Sequence, residues 1–315
     1  MRADGFNFAL LLAALAGSAG AVILQTESRE AAADVVRIEQ TNTRIPETLV
    51  DARGREVATG PYQRIVSLNT VADHLLLNLV EPERLVAFTG YTQDSHEEAW
   101  RFGSRTVLGK SEYVEQILGL RPDLVVSSQF ADEAFMERIR ERGVPVYDLG
   151  DMRGVSSTLE DMEALGLLLH VPDRAAALRR SYERELAALL ASQPDEPPPK
   201  GLYLSVLGDS YFGGTQGTSY ADLLTYGGVD DLAEEHGYKD WPRFNPEQLL
   251  MMNPKLILTQ LGMGEVICQN SSLSKLAACQ PGGQILELHG RYHADPGLGI
   301  VEASQQIQDL LEQLP

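Results

Sequence analysis

The sequence predicts an α/β protein of two α/β lobes with mostly parallel central sheets, joined by a single long rigid helix. Three observations carry this. Short apolar strands alternate with helical stretches along most of the chain, which implies parallel sheets flanked by helices. One long, uninterrupted helical pattern runs into a Pro-rich break near the middle. Finally, two segments of the first half return in the same order in the second.

The first residues read as an address rather than a fold. Arg2 lies in a short polar start, and Phe6 to Leu24 then runs without charge through FNFALLLAALAGSAGAVIL. Small residues from Ala16 to Ala21 make residues 1–24 a secretory signal cut near Ala21, and so direct the product to the periplasm. An uncleaved membrane anchor is the competing reading, because the run approaches bilayer-spanning length. No Cys follows the run to carry a lipid. Residues 25–47 are polar and Ala-rich and read as a linker.

The first lobe, residues 48–171, opens with ETLVDARGREVATG, a small hairpin turning at Arg53-Gly54. RIVSLN (Arg64 to Asn69) is a buried-type strand and Val71 to Leu79 a helix. Leu85–Phe88, Leu124–Ser127 and Val144–Tyr147 are the next clear strands. VPDRAAALRRSYERELAALL then has apolar residues at helical spacing, good helix formers throughout and no internal Gly. It starts at Pro172-Asp173 and stops before QPDEPPPK, so residues 172–193 are the interlobe helix.

The second lobe, residues 199–315, resumes the alternation. Gly201–Leu207 is a strand, Ser219–Tyr226 a helix, Lys255–Gln260 a strand, and IVEASQQIQDLLEQL a closing helix. Here the echo appears. EQILGLRPDLVVSS from Glu115 matches EQLLMMNPKLILTQ from Glu247, and TVADHLL from Thr70 matches SYADLL from Ser219. Asn245-Pro246-Glu247-Gln248 fits a helix start with a capping box. Glu115 and Glu247 also lie at the same point of their lobes, as two-point docking on a symmetric partner requires.

Composition removes several functions. A hydrophobic fraction of 43% with 23% charged residues is that of a folded globular chain. A formal net charge of −19 excludes nucleic acid and anionic lipid as partners, since both need clustered Lys and Arg. Cys268 and Cys279 are the only cysteines. In an oxidising compartment such a close pair reads as a disulfide, and closing so short a loop stabilises by about 3 kcal/mol in the chain-entropy model.

Catalytic constellations are scarce. GDSYFGG would make Ser210 a nucleophile of the GDS esterase type, but no Asp stands three residues before His289 or His293, and there is no G-x-S-x-G elbow. GGTQGTS is neither a P-loop nor G-x-G-x-x-G; an anion site at the helix start competes with a simple turn capped by Thr218 or Ser219. A bare metal site would need histidines such as His96, His236 and His293 to converge, and none is assigned. Aromatics are more telling: Tyr91 and Tyr211-Phe212 follow strands, and Trp241 precedes a helix. Loops at the carboxyl ends of parallel strands line ligand crevices, and rigid aromatic faces there suit a large planar ligand.

Taken together, DARGREV followed by RIVSLN, EQILGLRPDLVV, GVPVY, the long helix, GGTQGTSYADLLTYGGVDDLAEE and FNPEQLLMMNPKLIL resemble the periplasmic binding proteins of ABC importers for cobalamin, ferric siderophores and haem. The resemblance runs from about Thr48 to the end. It implies a receptor, not an enzyme, with no cofactor of its own and a ligand cleft between the lobes, whose ligand is a metal chelate: a corrinoid first, a ferric siderophore second, haem third. It implies that Glu115 and Glu247 match the family glutamates that meet arginines on the permease subunits. Tyr91, Phe212 and Trp241 stand where the cobalamin-binding branch places ligand-packing aromatics, whereas Gly109 and Ser128 stand where that branch has further tryptophans, and the cysteine pair is placed differently. Arg101, Arg105, Arg243 and Arg291 are the arginines available to an anionic ligand, and Tyr91, His96 and His236 are nearest in kind to a haem ligand. The implied partners are an ABC permease dimer and its ATPase, with the receptor itself a monomer. A GDS-type esterase using Ser210 and a non-transport sensor of the same fold are the competing readings.

Overall fold

The computed structural model describes residues 44–90, 92, 103, 105–108, 114–129, 131–208, 210–289 and 297–314. The signal and most of the linker expected from the sequence lie outside these residues. The first described element is the expected hairpin: β1 (Thr48–Val50) pairs antiparallel with β2 (Glu56–Ala58), Thr48 opposite Ala58. Asp51 closes the turn, its Oδ1 accepting from the backbone N–H of Arg53 (2.9 Å) and Arg55 (2.8 Å). Gly54 supplies the left-handed residue at φ +79°.

The first sheet contains β3 (Ile65–Ser67), β4 (Leu85–Thr89), β5 (Thr106–Leu108), β6 (Leu124–Ser127) and β7 (Val146–Asp148). The spatial order is β5-β4-β3-β6-β7, all parallel. Every residue of β3 and β6 is buried, as strands covered on both faces must be. The covering helices are α1 (Thr70–Leu79), α2 (Val114–Gly119), α3 (Glu133–Arg140) and α4 (Val155–Leu168). Asn69 caps α1 by accepting from Ala72 N–H at 3.0 Å, and Asp132 caps α3 by accepting from Phe135 N–H.

Helix α5 (Pro172–Ala191) begins with Pro at its first turn, where the missing N–H costs nothing. It packs along α4, and Gly166 lets the two helices cross closely: a Cβ there would overlap the Cβ of Ala175. Ala175, Tyr182, Leu186 and Leu189 join the core of the first lobe.

Beyond α5 come β8 (Lys200–Tyr203), β9 (Ser205–Leu207), β10 (Ser210–Phe212), α6 (Ser219–Tyr226), β11 (Asp230–Asp231), α7 (Leu232–Glu235), β12 (Arg243–Phe244), α8 (Pro246–Met252), β13 (Leu256–Gln260), α9 (Met263–Gln269), β14 (Gln284–Leu288) and α10 (Ile300–Glu312). The parallel sheet has the order β11-β8-β13-β14, and a small antiparallel sheet the order β12-β10-β9. The strand expected over Gly201–Leu207 is therefore two strands. Leu204 still donates its N–H to Leu258 (2.9 Å), but at Ser205 the chain leaves the parallel sheet to pair with β10. Burial changes at the same point, from fully buried to half exposed. Cys268 of α9 and Cys279 are bonded, with Cα atoms 5.5 Å apart.

Side-chain amides fasten the end of α5 to the second lobe. Gln193 Nε2 donates to the Thr225 carbonyl at 2.8 Å, and Gln308 Nε2 to those of Leu189 (2.9 Å) and Tyr226 (2.8 Å). Ser192 Oγ donates to Gln308 Oε1 at 2.8 Å, and Tyr182 hydroxyl to the Gly297 carbonyl at 3.1 Å.

Two expectations follow. Gly166→Val forces α4 and α5 apart and should cost about 2–3 kcal/mol in urea unfolding, whereas Gly119→Ala, with open space at its Cβ, should be close to neutral. Second, burial pushes the Asp161 carboxyl of α4 up to about 8, with Glu160 adding to the rise. The folded state holds this proton more tightly than the unfolded chain, so its stabilisation is complete below the ordinary aspartate value and is lost as pH rises through about 8. Urea midpoints measured from pH 5 to 9 should fall with pH, and Asp161→Asn should flatten the upper part of that slope.

Candidate ligand site

Each parallel sheet has one place where successive connections leave to opposite sides. In the first sheet β3 lies between β4 and β6; in the second, β8 lies between β11 and β13. Ligand crevices of open α/β sheets form outside the carboxyl ends of the strands at such switch points. In the first lobe that point is bordered by Leu68-Asn69 and Ser128, and in the second by Leu204-Ser205 and Leu261.

The carboxyl-end loops of the two sheets meet. Arg153, in the connection from β7 to α4, donates to Asp240 Oδ1 (3.1 Å) and to the Gly217 carbonyl (3.3 Å) of the second lobe. Val155 N–H donates to Asp222 Oδ2 in the first turn of α6 at 2.7 Å. These contacts join the carboxyl-end loops of the two lobes.

On the first-lobe side the carboxyl-end loops rest on polar buried groups. Asn69 Nδ2 lies 3.0 Å from the sulfur of Met152, which belongs to the loop after β7. Asp73 of α1 is fully buried, and its Oδ2 accepts from Thr89 N–H (3.1 Å), Thr89 hydroxyl (2.7 Å) and Thr92 hydroxyl (2.6 Å). It thereby holds the chain as it leaves β4. Burial pushes its carboxyl up to about 6, against the lowering effect of those hydroxyls.

The second-lobe side is apolar. Leu207, carried past the sheet by β9, is 74% exposed, and Leu261, directly after β13, is 60% exposed. Phe212 and Arg243 are cross-strand partners, with the guanidinium 5.8 Å from the ring centroid. Trp241 is 51% exposed and meets Tyr220 edge-on at 5.5 Å, while Tyr220 stacks on buried Tyr203 at 3.6 Å. Close packing fixes this column, since a Cβ on Gly214 would overlap the Tyr220 ring.

Of the ligand residues expected from the sequence, Phe212 and Arg243 come together, Trp241 lies on the neighbouring turn, and Tyr91 falls outside the described residues. Arg101, Arg291, His96, His293 and Gly109 fall outside them as well. Ser128 is buried at the carboxyl end of β6. Exposed His236 hydrogen-bonds through Nδ1 to the Leu232 carbonyl, and among the described residues no group of three or more His, Cys, Asp or Glu is placed to hold a metal ion. Ser210 hydroxyl accepts from Arg243 Nη2 at 2.7 Å, a partner that cannot serve as a general base. Thr218 caps α6. Glu115 and Glu247 are exposed in the first turns of α2 and α8, and Asn245 and Gln248 form the expected capping box behind Glu247.

Sequence reasoning missed Leu207, Leu261, Tyr220 and Arg153. The position directly after a predicted strand pointed to Leu261; nothing local in the sequence marks Arg153. A separate pocket of about 500 Å³ lies between the Pro197–Pro199 segment, Gly228 and Leu311. It opens at the amino ends of β8 and β11, away from the cleft.

Comparison with known proteins gives this geometry its family. A family model described as periplasmic binding protein matches residues 65–287. A cobalamin-binding protein of Halobacterium salinarum is 21% identical over 251 residues, covering 70% of this chain and 67% of its own. Among solved structures, a possible iron-binding (periplasmic solute-binding) protein of Staphylococcus epidermidis superposes with a TM-score of 0.70 at 17% identity, over 81% of this chain and 100% of its own. The periplasmic haem-binding protein HutB of Vibrio cholerae superposes with a TM-score of 0.66 at 20% identity, over 79% and 98%. With the family model spanning well over half of its length, the chain belongs to the periplasmic binding protein family.

Proposed function

We propose that this protein is an exported receptor that captures a metal chelate, a corrinoid ahead of a ferric siderophore or haem, and delivers it to an ABC permease dimer driven by its ATPase. The supporting observation is the second lobe's set of loop side chains: Leu207, Leu261 and Trp241 are exposed and Phe212 half-buried, with the exposed guanidinium of Arg243 beside the Phe212 ring. A broad amphiphilic ligand gains from burying its apolar face against such a surface while fixed polar groups set its orientation. The curated relative's name, cobalamin-binding protein, favours the corrinoid.

In this reading residues 48–171 and 199–315 are the lobes, residues 172–193 the link, and residues 1–24 the signal removed on export. Tyr91, Phe212, Trp241 and Arg243 contact ligand. Glu115 and Glu247 are the docking carboxylates, one per lobe, both exposed at the start of a helix that precedes a central strand. The receptor acts as a monomer and without turnover. No helix among the described residues is long and apolar enough to cross a membrane.

Native mass spectrometry and an absorption spectrum of the purified mature protein test the ligand: a corrin is expected, and a haem or ferric siderophore in its place overturns that assignment. Trp241→Ala should weaken binding by about tenfold, in line with loss of an aromatic anchor. Glu115→Ala combined with Glu247→Ala should leave ligand affinity intact and abolish uptake; loss of ligand binding in that double variant would overturn the docking role.

A further inference from the structure

The turn that carries Trp241 is held from two directions. Within its own lobe it is zipped to the Gly213–Gly217 loop: Thr215 N–H donates to the Asp240 carbonyl (3.1 Å), Asp240 N–H to Gln216 (2.9 Å) and Gly213 N–H to Pro242 (2.8 Å). Asp240 adopts a left-handed conformation, φ +56°, which short polar residues tolerate. From the other lobe comes Arg153. Its Nη2 is anchored to Asp151 at 2.8 Å, and Nη1 spans the cleft to Asp240 and Gly217. A planar guanidinium can serve acceptors on both sides at once, which an ammonium on a flexible stem does poorly.

The neighbouring residues leave little slack. Gly154 sits at φ +96°, and a Cβ there would overlap the Asp222 carboxylate that accepts from Val155 N–H. The Arg153–Asp240 pair is itself more than half exposed on both sides, and exposed ion pairs contribute little to global stability. Its effect therefore falls on local geometry.

We infer that Arg153 is a positioning residue for ligand capture: by bridging from the first lobe to Asp240 and Gly217, it fixes the Trp241 turn and the spacing of the cleft. The inference rests on the reading that Trp241 lines the ligand cleft, and its effect on Trp241 can be measured without any ligand.

In a Trp100→Phe background Trp241 is the sole tryptophan. There, Arg153→Ala should raise the acrylamide quenching constant of ligand-free protein by about twofold, as expected for loss of a local restraint. The midpoint of thermal unfolding should move by less than about 2 °C. Affinity for cyanocobalamin, used as the probe, should fall by about tenfold, within the range for coupled neighbouring groups. Arg153→Lys should recover only part of both effects. Asp240→Gly, which tolerates the left-handed turn and removes the acceptor, should reproduce them, and the double variant should be no worse than either single one. Unchanged quenching in Arg153→Ala, or additive effects in the double variant, would overturn the inference. Wild-type protein that does not bind cyanocobalamin, with the quenching and its non-additivity intact, supports the bridge and overturns the corrinoid reading instead.

Discussion

Helix α5 is asked to belong to both halves of the molecule, and the way it does so constrains everything else. Its apolar stripe is sunk into the first lobe, where Tyr182, Leu186 and Leu189 pack with the helices under the first sheet. The same apolar cluster takes in Ile300 of α10, with Tyr226 and Val301 packed against it, so the second lobe also rests on this stripe. Directional polar bonds add to it, through Gln193 and Gln308 reaching the carbonyls at the end of α6. Such bonds contribute about 1 kcal/mol each, yet they are directional and leave few ways for the lobes to sit. A helix of 20 residues is also stiff over its whole length.

The two lobes reuse the same parts for different ends. Thr70 to Leu76 and Ser219 to Leu224 each start a helix with an aspartate in the first turn. In the first lobe that aspartate, Asp73, is spent on its own strand, holding Thr89 and Thr92. In the second, Asp222 reaches out to Val155 of the other lobe. Burial raises both carboxyls, so each lies where charge is disfavoured and its hydrogen-bond donors matter. The second echo behaves more uniformly. Arg121 and Asn253, each directly before a proline, take the left-handed conformation that ends one helix and aims the chain into a central strand. Asn tolerates this conformation and Arg is strained in it, and its recurrence at both sites shows that the turn geometry is needed by the unit itself.

Much of this was legible in the sequence because it depends on periodicity and local chemistry. The long helix, the central strands, the hairpin at Gly54 and the capping box at Asn245 each leave a pattern within a dozen residues, and the glutamates were found from the repeat. What escaped was non-local. Leu204 and Ser205 look like one apolar run, and only the partner strands decide that the chain changes sheets between them. Leu207 and Leu261 read as ordinary core leucines until the sheet ends beneath them. Arg153 is one arginine among many, and its partners lie 64 and 87 residues away. The switch points could be placed only after strand order was known, because the same strands in a different order would open the crevice elsewhere.

The Cys268–Cys279 bond ties α9 to the turn that feeds β14, the last strand of the second sheet and one of its two edges. A cross-link of that span works chiefly on the unfolded chain, and it forms only where thiols are oxidised. Before oxidation the edge strand is held by its pairing with β13 and by packing against α9 and α10. The same polypeptide is thus softer at this edge while its thiols are reduced, and cured in place once they are bonded.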